Sequence, residues 1–393
     1  MNVSHQRWRD VPVLTIIALL MVSSCNVNSG VVIQPPPDKQ PSAVLTESWR
    51  TYVSVFIQKD GRVIDHKGGG VSTSEGQAYA MLRAVWMRDR SIFDKTYQWA
   101  LDNLNSGVRT DHLWAWKWGK SPQGHWRALD KAFASDADQD VALALILAAN
   151  AWNEPRYLLE ARAVLKDLWD FGTRTVAGRR YLLAGDSLCQ TQECKLNPSY
   201  SAPYAYRIFS LYDKSHDWPE LIESTYSLLD TATGLTKTHL PADWVVLDTK
   251  TGFIRLGSDK DSVFSYDAFR VFWRVALDAK LFDEPRADKY LRRASSWLIV
   301  EWQKRGKLPA IVSKDGQDLA KYESPEMLAG VMPALQELKP GVASAIEGRL
   351  QANFRNGVWF DRQSYYIQNW AWFGTALQEN YLVPFKQSRR IFN

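Results

Sequence analysis

Cysteine is scarce in this chain: three residues in 393. Two of them, Cys189 and Cys194 in "CQTQEC", have no histidine nearby. They make a poor zinc set, and no metal is implied. Charge of one sign is also lacking. Forty-eight Lys and Arg against 43 Asp and Glu leave +5, and the two signs are interspersed, so there is no basic stripe for nucleic acid. No strict repeat and no coiled-coil heptad appear. Segments of strand-like alternation are few, which argues against an α/β sheet. The apolar run "VPVLTIIALLMV", residues 11 to 22, is too short to span a bilayer.

What is present is a chain sized for one large domain or two, with 46% hydrophobic residues for a core. Aromatic residues stand out: 18 Trp, 16 Tyr and 15 Phe. Many of the tryptophans lie beside polar residues, a setting that suits the flat apolar faces of sugar rings.

The N-terminus reads as an address. Arg7 and Arg9 precede the apolar run, which has the length of a signal-peptide core. "VSSC" then places small residues before Cys25, as in a bacterial lipobox whose cysteine is lipidated; an ordinary secretory signal with an incidental cysteine is the other reading. Either one exports the protein, with residues 1–24 as signal. Asn26 after the cysteine is compatible with transfer to the outer membrane, and the expected location is a lipid anchor in the periplasm, or else a soluble periplasmic or secreted form. An oxidising compartment favours a disulfide between Cys189 and Cys194. Residues 25–45, which include three successive prolines, read as the lipidated cysteine and a tether. Residues 46–393 read as the domain.

Across that domain the apolar spacing is helical. "GQAYAMLRAVWMRD", "DVALALILAANAW", "PRYLLEARAVLKDLWDF", "SVFSYDAFRVFWRVALDAK", "ADKYLRRASSWLIVEWQK" and "PEMLAGVMPALQELK" are among the segments with apolar residues at three- and four-residue intervals, separated by Gly, Pro, Asp or Asn. The pattern predicts an all-α domain of repeated helix pairs. "GRRYLLAG" and "WVVLDT" form a small hairpin excursion. If the pairs close into a ring, their loops gather at one end and polar groups distant in sequence share a cleft.

Three acidic clusters are candidates for that cleft. In "STSEGQAYAM", residues 72–81, Ser72 with Glu75 fits a capping box, but Ser74 with Gln77 fits the same template and leaves Glu75 for a substrate. In "ASDADQDVALALILAANAW", residues 134–152, Asp136, Asp138 and Asp140 alternate before an apolar helix. They suit the helix dipole or an N-cap, or they present a substrate-binding carboxylate. A calcium loop is excluded, since Val141 and Leu147 occupy the positions that need Gly and Glu. In "DKDSVFSYDAFRVFWR", Asp267 falls in a predicted helix with Arg270 three residues later. An exposed ion pair is one reading. Burial of Asp267 among aromatics, costly without a function, is the other.

"STSEGQAYAM", "DHLWAWKWG", "ASDADQDVALALILAANAW", "NPSYSAPYAYRIF", "LPADWV" and "SYDAFRVFWR" follow one another in the order seen in glycoside hydrolase family 8. Over roughly residues 46–382 the chain resembles the bacterial endoglucanases of that family, in particular those that accompany cellulose synthase. The resemblance implies an (α/α)6 barrel and an inverting endo-β-1,4-glucanase. Glu75 then matches the proton donor, Asp267 the catalytic base, and Asp136 the aspartate that holds the sugar at the cleavage subsite. An inverting enzyme needs one protonated carboxyl and one ionised carboxylate roughly 6.5 to 9.5 Å apart, in environments that separate their pKa values. Arg270 would favour the anionic form of Asp267.

Trp114, Trp116 and Trp118 alternate, so in an extended segment they would face one way and could stack on glucose units, with at least one of them expected in the core. Tyr200, Asp243 and Trp244 are further cleft candidates. The family also contains xylanases, chitosanases and mixed-linkage glucanases, so another β-linked polysaccharide is an alternative substrate. An envelope lipoprotein that binds exopolysaccharide without cutting it is the alternative of a different class. The expected partners are cellulose, the membrane through the lipid anchor, and the cellulose synthase machinery; the protein is expected to be a monomer with no cofactor.

Overall fold

Thirteen α-helices follow one another in the computed structural model, which describes residues 39–382. They are α1 (Ala43–Phe56), α2 (Ser74–Trp86), α3 (Arg90–Ala100), α4 (Ser135–Trp152), α5 (Pro155–Gly172), α6 (Pro203–Tyr212), α7 (Trp218–Gly234), α8 (Arg270–Phe282), α9 (Pro285–Ala294), α10 (Ser296–Arg305), α11 (Pro325–Gln336), α12 (Pro340–Ala352) and α13 (Tyr365–Gln378). The signal segment, Cys25 and most of the tether lie outside the described residues. The first helix starts at Ala43, with Ser42 accepting from Leu45 N–H as its cap. It therefore takes in the last three residues of the stretch read as tether.

Helices α2, α4, α6, α8, α11 and α13 each pack on the next, and α13 returns to α2. Outside this ring, α3 lies on α2, α5 on α4, α7 on α6, α9 on α8, α12 on α11 and α1 on α13, while α10 touches both α9 and α12. The result is an (α/α)6 barrel. Local sequence decides which helix goes where. Every residue of α4 from Ser135 to Ala148 is buried, as is α11 from Glu326 to Leu335. A helix apolar on all sides has no face to offer water and must be interior. Outer helices such as α5 and α9 bury only a stripe.

Two helical readings needed correction. "SVFSYDAFRVFWRVALDAK" is helical only from Arg270 onward, because Asp243 captures the backbone N–H groups of Ser265 and Ala268 and holds the preceding residues in a turn. "ADKYLRRASSWLIVEWQK" forms two helices that break at Ser295.

Four small antiparallel sheets decorate the barrel. One joins β1 (Ser72–Thr73), β2 (Lys117–Lys120) and β3 (Trp126–Asp130); another is the hairpin β4 (Thr173–Val176) and β5 (Arg179–Leu182). A third joins β6 (Glu193–Leu196), β7 (Val245–Asp248) and β8 (Ile254–Leu256), and the last is β9 (Phe354–Arg355) with β10 (Val358–Trp359). "GRRYLLAG" and "WVVLDT" thus belong to two different sheets rather than to one hairpin. Among the described residues, no helix is long and apolar enough to cross a membrane.

The barrel depends on close approach of neighbouring inner helices. A Cβ on Gly374 of α13 would come within 2.2 Å of the Ala329 carbonyl oxygen on α11. Since backbone must move to admit a methyl there, Gly374→Ala is expected to cost about 1–3 kcal/mol, measured as a lower midpoint of denaturant unfolding.

Candidate active site

One outer helix separates each inner helix from the next, with α9 and α10 together between α8 and α11, so the inner ones run in the same sense and their N-termini gather at one end of the barrel. The candidate residues lie there. Glu75 is the second residue of α2, Asp136 sits in the first turn of α4, Asp267 stands in the turn before α8, and Arg270 opens α8. Helix N-termini carry partial positive charge and favour anions.

Arg270 joins the three carboxylates. Its Nη1 donates to Glu75 Oε2 at 3.1 Å and to Asp136 Oδ2 at 2.8 Å, and its Nη2 donates to Asp267 Oδ1. Nε donates to Ser199 Oγ at 3.1 Å and to the Asp267 carbonyl at 3.3 Å. The guanidinium is buried, as is the Asp136 side chain, whereas Glu75 and Asp267 retain 21% and 31% of their side-chain exposure. The two carboxylates that solvent can reach are therefore the two expected to do chemistry.

Glu75 does not cap its helix. The cap is Thr73, whose Oγ1 accepts from Gly76 N–H at 3.0 Å. Ser72 instead donates to the Val63 carbonyl, and Gln77 ties the loop at Gly61 and Val63 to α3 through its amide. Neither capping box read from the sequence, Ser72 with Glu75 or Ser74 with Gln77, forms, and Glu75 is free for the site. Its Oε1 accepts from Tyr365 Oη at 2.8 Å and its Oε2 from Tyr79 Oη at 3.2 Å. Burial pushes the Glu75 carboxyl up to about 7; Arg270 opposes that rise, and the Asp136 anion adds to it.

Burial also raises Asp267 above the ordinary aspartate range, with Asp136 adding to the rise, while Arg270 opposes it. Arg270 does favour the Asp267 anion, but it touches Glu75 as well and so cannot separate the two alone. Burial is the largest influence on both acids, and the phenol of Tyr365, which donates to the Glu75 carboxylate, moderates the rise of Glu75 rather than causing it.

The three alternating aspartates of α4 have three fates. Asp136 faces Arg270. Asp138 Oδ1 accepts from Trp114 N–H at 2.9 Å, its Oδ2 finds no hydrogen bond among the described residues, and burial holds its carboxyl well above the usual range. Asp140 is buried in a two-pronged ion pair with Arg274, at 3.2 and 3.0 Å.

The family model described as "Glycosyl hydrolases family 8" matches residues 10–358. The chain belongs to glycosyl hydrolase family 8. It is 33% identical over 234 residues to the endoglucanase of Escherichia coli strain K12, a stretch covering 58% of this chain and 62% of that protein; the match thus spans about six tenths of the curated relative's length. Among solved structures, the endo-1,4-D-glucanase of Vibrio fischeri ES114 superposes with a TM-score of 0.72 at 25% identity, covering 85% of this chain and 94% of that one. The endoglucanase Cel10 of Klebsiella pneumoniae gives 0.67 at 27% identity, covering 84% and 99%.

The aromatic residues of this family 8 chain divide between wall and core. Trp114 is buried and stacks on Tyr97 of α3. Trp118 packs edge-on to Trp99 of α3, stacks on Trp126 and lies 4.6 Å from the Arg62 guanidinium. An irregularity between Lys117 and Trp118 breaks the register of β2 with β3, so the three tryptophans do not form one even row. Trp116 is half-buried, and its carbonyl accepts from Ser74 N–H at the head of α2. Tyr200 lies beneath the Arg270 guanidinium, 5.1 Å from it, and meets Trp244 edge-on at 5.8 Å. Asp243, expected in the cleft as a sugar ligand, is buried and spends its oxygens on Ser265 and Ala268. Cys189 is joined by a disulfide to Cys194 of β6.

Sequence reasoning missed Tyr79, Asn197, Ser199 and Tyr365. Tyr79 is four residues after Glu75, one helical turn away, and that spacing was the available signal. Tyr365, in the late segment "YYIQNWAWFG" that resembles the family's closing helix, is 290 residues away; its reach to Glu75 becomes visible only once the ring closes. Among the described residues, no group of three or more His, Cys, Asp or Glu could hold a metal ion.

Two predictions arise from this geometry. Arg270→Met leaves three crowded carboxylates without their cation, and is expected to cost about 3–5 kcal/mol in unfolding free energy. The loss should be largest above pH 7 and shrink towards pH 4 as the acids protonate. Tyr365→Phe removes a hydrogen bond that favours the Glu75 anion, so the Glu75 pKa rises further. In a pH profile of hydrolysis, the alkaline limb should move to higher pH in this variant.

Proposed function

We propose that this chain is an exported endo-β-1,4-glucanase that hydrolyses internal bonds of cellulose with inversion. The observation that carries the reading is the pair of half-exposed acids, Glu75 and Asp267, held on separate nitrogens of one buried arginine. Glu75, with its pKa lifted to about 7, keeps a proton near neutrality and delivers it to the departing glycosidic oxygen. Asp267 takes a proton from a water that attacks the anomeric carbon from the opposite face. Asp136, fixed by Arg270 and by Ala137 N–H, holds the sugar at the cleavage subsite. Neither proton transfer calls for a metal or an organic cofactor.

The tryptophans and tyrosines beside these acids, with Trp116, Tyr200 and Trp244 half-buried among them, support a polysaccharide substrate. The similarity to endoglucanases, among them an endo-1,4-D-glucanase, supports β-1,4-glucan over xylan, chitosan or mixed-linkage glucan. The two acids favour a hydrolase over a lipoprotein that only binds, since binding calls for rings and hydrogen bonds alone. The signal sequence and the Cys189–Cys194 disulfide support export to an oxidising compartment, with a lipid anchor at Cys25 ahead of a tether and a single catalytic domain, acting as a monomer. In that setting the substrate is cellulose made or turned over at the cell envelope.

The test is reducing-end release by the purified protein from carboxymethyl-cellulose, xylan and chitosan, with NMR of the first product's anomeric configuration. Release from the cellulose derivative with an α-configured product is expected. Glu75→Gln should lower the rate by about 10²–10⁴-fold. Full activity in that variant would remove Glu75 from its role, and release from xylan or chitosan alone would move the substrate.

A further inference from the structure

Asp243 lies outside the arginine-centred cluster, yet it touches the backbone on both sides of Asp267. Its Oδ1 accepts from Ser265 N–H at 2.9 Å and from Ala268 N–H at 2.8 Å, and its Oδ2 accepts from the Ser265 hydroxyl. The backbone around it is paired with the same segment: Asp243 N–H donates to the Val263 carbonyl at 2.7 Å and Trp244 N–H to the Asp261 carbonyl at 3.0 Å. The side chain is buried, with 7% of the residue exposed.

We propose that Asp243 is the positioning residue for Asp267, setting the direction of the catalytic carboxylate by gripping both ends of the Ser265–Ala268 turn. This rests on the reading of Asp267 as the base. Without the grip, the freed N–H groups of Ser265 and Ala268 have no partner in a buried setting, and that cost holds the turn in one conformation. A carboxylate suits this task better than a neutral acceptor, because hydrogen bonds to an ionised oxygen are shorter and stronger.

The grip also places a second negative charge next to the base. The charged and titratable groups around the pair are Arg270, Asp136, Glu75, Tyr200 and Tyr366 on the site side, with the Lys195–Asp261 ion pair at 2.7 Å behind Trp244. Burial and the Asp267 charge push Asp243 up to about 6. When both are ionised each opposes the other, so removing the Asp243 charge lets Asp267 ionise at lower pH.

The experiment compares Asp243→Asn and Asp243→Ala with the wild type by hydrogen–deuterium exchange of peptides spanning residues 261–270, and by kcat, KM and the pH profile on whichever polysaccharide the wild type cleaves. Peptides from α4 serve as the folding control. Asn keeps an oxygen for the two N–H groups: its turn should stay protected, with the acidic limb of the profile at lower pH. Ala should lose protection at 261–270 but not in α4, and lose about 100-fold in kcat with little change in KM, the scale of a misplaced catalytic group. Protection unchanged in the Ala variant would overturn the proposal. So would equal kcat losses in both variants with an unmoved acidic limb, which would mean a purely structural residue. Should Asp243→Ala fail to fold, Ser265→Ala removes one contact and should give a partial loss of protection. A wild type that cleaves no polysaccharide defeats the proposed function instead, and the exchange arm still decides the grip.

Discussion

One guanidinium governs the site. Glu75, Asp136 and Asp267 approach one another closely enough that their mutual repulsion, in a partly desolvated cleft, would drive them apart or force them to take up protons. Arg270 prevents this because its charge cannot be titrated away and its planar fork offers separate nitrogens to separate acids. Its own burial is tolerated for the same reason: Asp136, Asp267, Glu75 and Ser199 occupy its donors. The cation and the acids are mutually dependent, and none of these charges would be stable at its depth alone.

The barrel is what delivers them to one point. The placing of outer helices between successive inner ones aligns the inner N-termini, and five of the six contribute at or just before their first turn: Glu75 from α2, Asp136 from α4, Ser199 and Tyr200 ahead of α6, Asp267 and Arg270 at α8, Tyr365 from α13. Short sheets between the helices then steer particular side chains. The β6–β7 pairing ends with Leu196 opposite Val245, which brings Asn197 and Trp244 out at the same end of that sheet. The cleft holds carboxyls lifted out of their ordinary range, a cost that the apolar inner helices offset elsewhere in the core.

Much of this was legible in the chain. Helical periodicity marked most of the elements and pointed to helix pairs closing into a ring. The order of the six motif blocks picked out Glu75, Asp136, Asp267 and Arg270. Other details were not legible because they depend on competition between near-equal local choices. Thr73, Ser72 and Ser74 are all competent helix caps, and Thr73 takes the task since Ser72 is engaged by Val63 and Arg62. Asp267 carries a helix-like pattern around it, yet Asp243, 24 positions earlier in sequence, overrides that propensity by capturing the turn.

The sequence by itself determined the class of fold, the residues able to carry a proton in or out, and the two cysteines close enough to join. Periodicity, side-chain chemistry and spacing are local properties. Only the tertiary structure decided which tryptophans face α3, that Asp243 serves the backbone rather than a sugar, and that Tyr365 reaches Glu75. Those outcomes turn on distances between segments from about twenty to 290 residues apart, and burial and pairing energies arise only when the ring closes.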